Sequence, residues 1–506
     1  MLFPSNEFLL VFLPGTLALF LILRRWGSSE LVVVFLVIAS LIFYSWTNPL
    51  YLPLILASMI FNYAVGLSHV RGTLGKHSTI VLGVTINLLV LGWFKYSGFL
   101  ARGLQPYFSF PLPAYHGDLP LAISFFTFLQ IAYVVDVARA RKTSGGLWDY
   151  FLFVTFFPHL IAGPLVHHRE LIPQFKKIGR SWQTWQASFA VGITIFVIGL
   201  FKKLGIADAV APIADQIFDG AKAGDAPTLI PAWLGTTAYA LQIYFDFSGY
   251  SDMAIGLSKM FCLRLPINFN SPYQADSIID FWKRWHITLS RFLMDYLYIP
   301  LGGNRSGPIR RYVNIMIVMV LGGLWHGAGL QFIVWGALHG IYLLINHLWR
   351  SLFPQNPIHS RARRTAYWGL TMLAVLAAWV PFRAADLSSA ALIWKGMFGF
   401  NGVALPSTLQ SVAAYVPGVT TPMNLPNVSL LHLSVFAIGA LIATAAPNIY
   451  RIVVRNSPVL NPGIDLPRPA RFQWRPTVAY AIGVWLIFVL CLVRNQENSP
   501  FLYFQF

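Results

Sequence analysis

The stretch Leu324-Trp325-His326-Gly327-Ala328-Gly329 sets one ionisable side chain between two apolar runs, 313–324 and 330–344. Neither run gives the imidazole a path to bulk water. A polar group at membrane depth is costly and normally faces a bundle interior or a water-filled cavity, often with a functional role. Histidine's unperturbed pKa, about 6.5, also lies closest to physiological pH. His326 is therefore the first candidate for handling a proton. The apolar runs around it point to an all-α, polytopic membrane fold.

Composition agrees with that reading. Of 506 residues 56% are hydrophobic and 11% charged, whereas charged residues make up roughly a quarter of a soluble domain. Mean hydropathy is +0.61. With no linker and no soluble stretch in view, residues 1–506 read as one integral membrane unit. The net charge of +18 could signal nucleic acid in a soluble protein. Here the Lys and Arg sit between apolar segments, where the positive-inside rule and anionic lipid headgroups account for them. Membrane lipid is expected as a partner and nucleic acid is not. Cys262 and Cys491 both lie in or beside apolar stretches, so no disulfide framework is implied. The first apolar run, 8–23, has no basic stretch before it and no small-residue cleavage site, so it reads as a retained span.

Runs near the length needed to cross the hydrocarbon, about 20 apolar residues, fall at 7–24, 31–47, 50–68, 79–96, 119–135, 186–201, 228–260, 312–324, 328–348, 365–382, 430–447 and 475–493. About ten to thirteen spans are expected. Arg24 and Arg25, Arg71 with Lys76, and Arg139, Arg141 and Lys142 follow the first, third and fifth spans. They place that face in the cytoplasm and the N-terminus outside. Residues 151–166 break the pattern, because Pro158, Gly163 and Pro164 interrupt them and basic residues flank both ends. A re-entrant hairpin fits, since broken backbone sits at membrane depth only against protein or a wet cavity. In 280–298 charges recur every three or four residues between aromatics, which predicts one amphipathic helix too charged to span. Residues 383–429 read as a polar loop outside, and the Arg- and Pro-rich 451–473 as inside.

His286, in Trp285-His286-Ile287, is the second histidine preceded by tryptophan. Together His326 and His286 suggest a shared polar cavity. Acyl transfer needs a base to take the proton of an attacking hydroxyl or thiol, for a typical gain of about 10²–10⁴-fold. His326 is the expected base, and His286 the group that orients the donor or stabilises the oxyanion. Each histidine alone reads first as a hydrogen-bonded bundle residue, and the two taken together favour the chemical reading. Asp246, Ser248, Ser251 and Asp252 fall in the apolar 228–260 run, where carboxylates are expensive unless paired or wetted. Phe247-Ser248-Gly249-Tyr250-Ser251 lacks the Gly-x-Ser-x-Gly spacing of a nucleophile elbow. His167-His168-x-Glu170 lacks the HExxH spacing. It reads as a basic loop, and no metal site is expected. The loop around Gly302, Gly303 and Asn304 fits neither phosphate-binding pattern. His159 and His339 read first as bundle hydrogen bonders.

Several stretches then carry a resemblance: Pro120 to Phe128, Phe156 to Pro164, Tyr244 to Asp252, Asn268 to Tyr273, Asp280 to Arg305, Leu324 to Gly327, and the terminal Ser499 to Phe504. In this order they resemble the membrane-bound O-acyltransferases (MBOAT), in the bacterial alginate O-acetylase branch. The resemblance implies a helical bundle around a transmembrane tunnel, with its core at about 119–348. It puts the family's near-invariant histidine on His326 and a second polar position on His286. Beside these, Asp246, Ser248, Ser251, Asp252, Trp325, Trp285, Asn270 and His159 are read from the residues as lining a tunnel, with helix packing as the alternative for Asp246, Ser248, Ser251 and Asp252. The resemblance further implies acetyl-CoA as cytoplasmic donor with no bound cofactor, a location in the bacterial inner membrane, and an extracytoplasmic acetyltransferase partner. Alginate-type exopolysaccharide is the first acceptor expected; cellulose, peptidoglycan, or D-alanyl transfer to teichoic acid are alternatives. A transporter or an export scaffold remains possible on composition alone, but no matched pair of interrupted helices favours transport.

Overall fold

The computed structural model describes residues 1–143, 145–178, 182–305, 307–353, 360–404, 428–460, 469–494 and 501–502. Among them the chain is helical without strands, apart from one isolated bridge between Pro266 and Leu460. Among the described residues seven helical stretches are long and apolar enough to cross a membrane: Glu7–Trp26, Pro49–Val70, Lys76–Tyr107, Ile123–Ala140, Trp185–Ala223, Leu330–Leu352 and Arg361–Arg383. Shorter apolar helices are Ser29–Ser45, Leu430–Ala445 and Val478–Arg494. The runs 228–260 and 312–324 are helical too, within Leu229–Met260 and Gly307–His326. The all-α polytopic fold is as expected.

Backbone contacts divide the chain into two compact units. The first comprises Met1–Leu200, Gly249–Asn268 and Ile449–Phe504. Its helices approach closely where glycine allows it, since a Cβ on Gly199 would lie 2.6 Å from the Gly249 carbonyl and one on Gly256 equally near the Gly192 carbonyl. Close approach between small residues is how apolar helices gain contact when lipid competes for their apolar faces. A buried amide cluster also ties Leu52–Val70 to Lys76–Leu91 and Ile123–Ala140. In it Asn62 donates to Gln130 at 2.6 Å and Asn87 donates to Asn62 at 2.6 Å.

The interrupted segment 151–166 belongs to this unit. A nine-residue helix, Leu147–Thr155, stops at Phe156, and a four-residue helix, Phe157–Leu160, follows. Residues 161–167 are not helical, and the chain resumes as His168–Phe175. At about 1.5 Å per residue neither short helix spans the hydrocarbon. Every residue from 150 to 168 is buried, and the Phe157 N–H donates to Ser40 Oγ at 3.1 Å. The expected basic loop at 167–170 is corrected here. His167 and His168 are buried and face the Asp136 carboxylate, His168 Nε2 at 3.5 Å. A carboxylate draws both imidazoles inward, so local charge in the sequence misled.

The second unit comprises, among the described residues, those of Phe201–Ser248 and Phe269–Asn448. Gly307–His326 and Leu330–Leu352 form a tight hairpin within it. A Cβ on Gly323 would overlap the Phe332 carbonyl, and one on Gly336 the Met319 carbonyl. The predicted amphipathic helix over 280–298 is also corrected. It is two helices, Ile278–Arg284 and Ile287–Leu293, broken by an extended Trp285 and a left-handed His286 at φ 43° and ψ 52°. Buried aromatic packing around Trp285 overrides the helical charge spacing. Within the expected loop at 383–429, residues 405–427 lie outside the described residues. The described part holds a helix, Leu387–Met397, with Ser389, Ala390, Ile393, Gly396 and Met397 buried. Residues 461–468 and, apart from Phe501 and Leu502, the terminal Ser499 to Phe504 stretch likewise lie outside.

Candidate active site

His326 ends the helix Gly307–His326, and the turn 327–329 returns the chain into Leu330–Leu352. A Cβ on Gly327 would overlap the Phe332 ring, so the residue after the histidine must be glycine for the turn to close this tightly. His326 is 4% exposed. Its ring meets Trp325 at 4.9 Å, Trp335 at 5.1 Å and Phe382 at 5.2 Å between centroids.

His286 reaches the same place from the break between its two helices. Its ring centroid lies 6.5 Å from that of His326, with planes inclined at 57°. Phe247 packs edge-on against it at 4.8 Å and Trp325 lies at 6.3 Å. A left-handed backbone at a non-glycine residue costs about 1–3 kcal/mol and persists where surroundings over-determine it. Here Asn270 does part of that. Its N–H donates to the Arg284 carbonyl at 2.9 Å, and its own carbonyl accepts from Arg284 Nη1 at 3.4 Å. Asn270 therefore acts through backbone contacts that fix the end of Ile278–Arg284. Trp285 completes the support by stacking on Phe281 and meeting Phe269 and Trp379, each of the latter at 5.0 Å. Full burial pushes the His286 pKa down to about 3, so its imidazole is neutral near pH 7.

Asp246 is held by charge. Its Oδ1 lies 2.7 Å from Lys203 Nζ, which also lies 2.8 Å from Asp208 Oδ1. Lys203 is 2% exposed and Asp246 1%. A buried carboxylate needs such a partner. Asp246 and Ser248 flank Phe247, the residue against His286, and Ser248 is buried. Lys203 is the residue that sequence reasoning missed. It stands at the edge of the apolar 186–201 run, where a lysine reads as a flanking charge. The usable signal was a lysine followed by Leu204, Gly205, Ile206 and Ala207, still apolar.

The remaining expected residues divide between the two units. Ser251, Asp252 and His159 belong to the first unit. Ser251 Oγ accepts from Asn268 at 3.2 Å, and Asp252 Oδ1 accepts from the Tyr450 hydroxyl at 2.5 Å. His159 is buried in Phe157–Leu160 with Phe156 at 5.9 Å. His339 is buried in the second unit and accepts at Nδ1 from the Trp282 indole at 3.3 Å.

Chemically, two buried imidazoles at this spacing can share one reacting group. One ring nitrogen can accept a proton while an N–H of the other ring faces developing negative charge.

The membrane-bound O-acyltransferase family model matches residues 32–379. A peptidoglycan O-acetyltransferase of Helicobacter pylori is 38% identical, covering 100% of this chain and 98% of its own length. A probable alginate O-acetylase AlgI of Azotobacter vinelandii is 39% identical, with 100% of both chains covered. A teichoic acid D-alanyltransferase of Bacillus subtilis is 26% identical over 48% of this chain and 64% of its own. The transporter and scaffold readings fall to these likenesses. A helical membrane chain with a paired-histidine centre, aligned end to end with O-acetyltransferases, belongs to the membrane-bound O-acyltransferase family and is an acyltransferase.

Proposed function

We propose that this acyltransferase takes acetyl from cytoplasmic acetyl-CoA and moves it through the bacterial inner membrane for O-acetylation of an exopolysaccharide of the alginate type. The observation that carries the reading is the His286–His326 pair, buried and 6.5 Å apart. His326 serves as the base that takes the proton of the attacking hydroxyl. His286, kept neutral by burial, offers an N–H to the charge that develops on the acyl oxygen. Lys203 and Asp246 hold the helix that carries Phe247 against His286. An extracytoplasmic acetyltransferase receives the acetyl group and passes it to the polymer. The 39% identical alginate O-acetylase supports the acceptor class.

A second acceptor has a specific observation behind it. The Helicobacter pylori relative named as a peptidoglycan O-acetyltransferase is as similar over as much of the chain, so peptidoglycan is the alternative polymer. Purified protein incubated with [¹⁴C]acetyl-CoA tests the activity, with thiol release and labelled product as readouts. His326→Ala should insert and accumulate normally yet lose both. Near-normal transfer by that variant would remove His326 from the chemistry. Labelled polymer recovered from cells, digested and analysed for acetylated uronate or acetylmuramate, separates the two acceptors.

A further inference from the structure

His339 occupies the helix Leu330–Leu352 one turn beyond Trp335, so both side chains lie on one face. It is fully buried. Its tautomer follows from its partner. The Trp282 indole reaches His339 Nδ1 at 3.3 Å, and an indole nitrogen only donates. Nδ1 therefore presents its lone pair and the ring proton sits on Nε2. Among the described residues that buried Nε2–H meets no acceptor.

A second N–H stands in the same condition. The Trp335 indole nitrogen is buried, and among the described residues it too meets no acceptor. The rings of Trp335 and His339 lie 5.0 Å apart, and Trp335 stands 5.1 Å from His326, nearly perpendicular to it at 85°. Folded chains pair nearly all buried donors, and exceptions mark strain or function. Two such donors on one helix face beside the candidate base point to a ligand oxygen.

We propose that His339 Nε2–H and Trp335 Nε1–H receive the carbonyl oxygen of the transferred acyl group. The proposal rests on the reading of His326 as the base. In the step, a hydroxyl oxygen of the acceptor, or of water, bonds to the thioester carbonyl carbon while its proton passes to His326. The carbonyl π pair moves onto oxygen, and the two N–H groups hold that oxyanion together with the N–H of His286. On collapse the C=O bond re-forms and the C–S bond breaks. The leaving sulfur takes the proton from His326 and departs as free thiol. No electron donor or acceptor is needed.

Thiol release from acetyl-CoA by purified protein tests this, with kcat and KM measured separately. His339→Leu and Trp335→Phe each remove one N–H. Each should lower kcat by about 10²–10³-fold, the usual cost of losing one oxyanion donor, with KM for acetyl-CoA little changed. The double variant should fall less than the product of the two, because both donors serve one oxygen. His339→Gln, which keeps an N–H at the same reach, should recover much of the loss. Should Trp335→Phe fail to accumulate, 3-benzothienylalanine at 335 replaces only the N–H with sulfur and keeps the ring. A merely structural role would instead lower the melting temperature and protein yield and leave kcat of the folded fraction unmoved. Folded variants lacking these donors with near-wild-type kcat overturn the proposal. If His326→Ala abolishes thiol release in the same assay, that failure belongs to the donor pair alone. If wild-type protein releases no thiol, both readings fall.

Discussion

Replacing Lys203 by methionine leaves a side chain of similar length but removes the positive charge between Asp246 and Asp208. The geometry sets the size of the effect. Lys203 Nζ lies 2.7 Å from Asp246 and 2.8 Å from Asp208. The side chains of Lys203 and Asp246 are 3% and 1% exposed, whereas that of Asp208 is 23% exposed and can turn to solvent. Asp246 cannot. Removing one partner of a buried pair costs about 3–5 kcal/mol, because the other charge loses its counter-ion while it stays buried. Each kcal/mol shifts the melting temperature by about 2–4 °C in a unit of 150–250 residues. Lys203→Met should therefore melt roughly 6–20 °C below wild type in detergent.

Two companion variants isolate the cause. Asp246→Asn keeps shape and leaves Lys203 with Asp208, so its loss should be smaller. Lys203→Met with Asp246→Leu removes both buried charges and should recover most of the stability, since apolar replacement of a buried pair is often neutral. Thermal unfolding followed by intrinsic fluorescence reads all three. A Lys203→Met protein melting within about 2 °C of wild type would refute the account, given that one kcal/mol alone shifts the midpoint that far. So would a double variant no better than the single.

Three further outcomes are expected. His286→Ala should retain measurable transfer, reduced by about 10²–10³-fold as for a lost oxyanion donor, and a fully active variant would return His286 to the bundle. Because burial holds the His286 pKa near 3, below the usual 6.5 or so, the unfolded chain binds a proton that the folded chain refuses between those values. Stability contributed by neutral His286 is thus complete above about pH 6.5 and declines as pH falls, by up to about 1.4 kcal/mol per pH unit. His286→Gln should flatten that limb of a melting-temperature profile, and an unchanged slope would remove His286 as its source. If 151–166 is re-entrant, Lys142→Cys and Lys177→Cys, each in a background without Cys262 and Cys491, should both resist a membrane-impermeant thiol reagent in intact cells and react after lysis; labelling from opposite sides would make the segment a crossing.

What the sequence made legible was chemistry that hydropathy exposes. An apolar run cannot hide His326, and its ring stands 6.5 Å from that of His286. Pro158, Gly163 and Pro164 likewise announced broken backbone, and the structure breaks there. The helix Leu387–Met397 was harder to see because its first turn is polar. Asp386 caps it by accepting from the Ser389 N–H at 2.8 Å and the Ser388 hydroxyl at 2.7 Å, a capping pattern that also makes the stretch look like a loop. Lys203 was lost for the opposite reason. A lysine beside an apolar run usually reports topology, and only the position of Asp246, some forty residues on, turns it inward.

The break at Trp285 and His286 is the instructive failure. Charges at three- and four-residue spacing predict a continuous helix because i, i+4 pairs stabilise one, and Arg284 does pair with Asp280 at 2.9 Å. Such a pair, partly exposed, contributes only about 0.3–0.5 kcal/mol. Against it stand the buried faces of Trp285, with Phe269, Phe281 and Trp379 around the ring, and burying one aromatic side chain contributes about 1.5–3 kcal/mol. Packing exceeds local pairing several-fold, and it also offsets a left-handed residue at about 1–3 kcal/mol. The break turns His286 toward His326 by setting the first residue after Trp285 in a conformation that a continuous helix excludes. A helix drawn straight through 280–298 would keep the charge pattern and lose the His286–His326 pair on which the proposed chemistry rests.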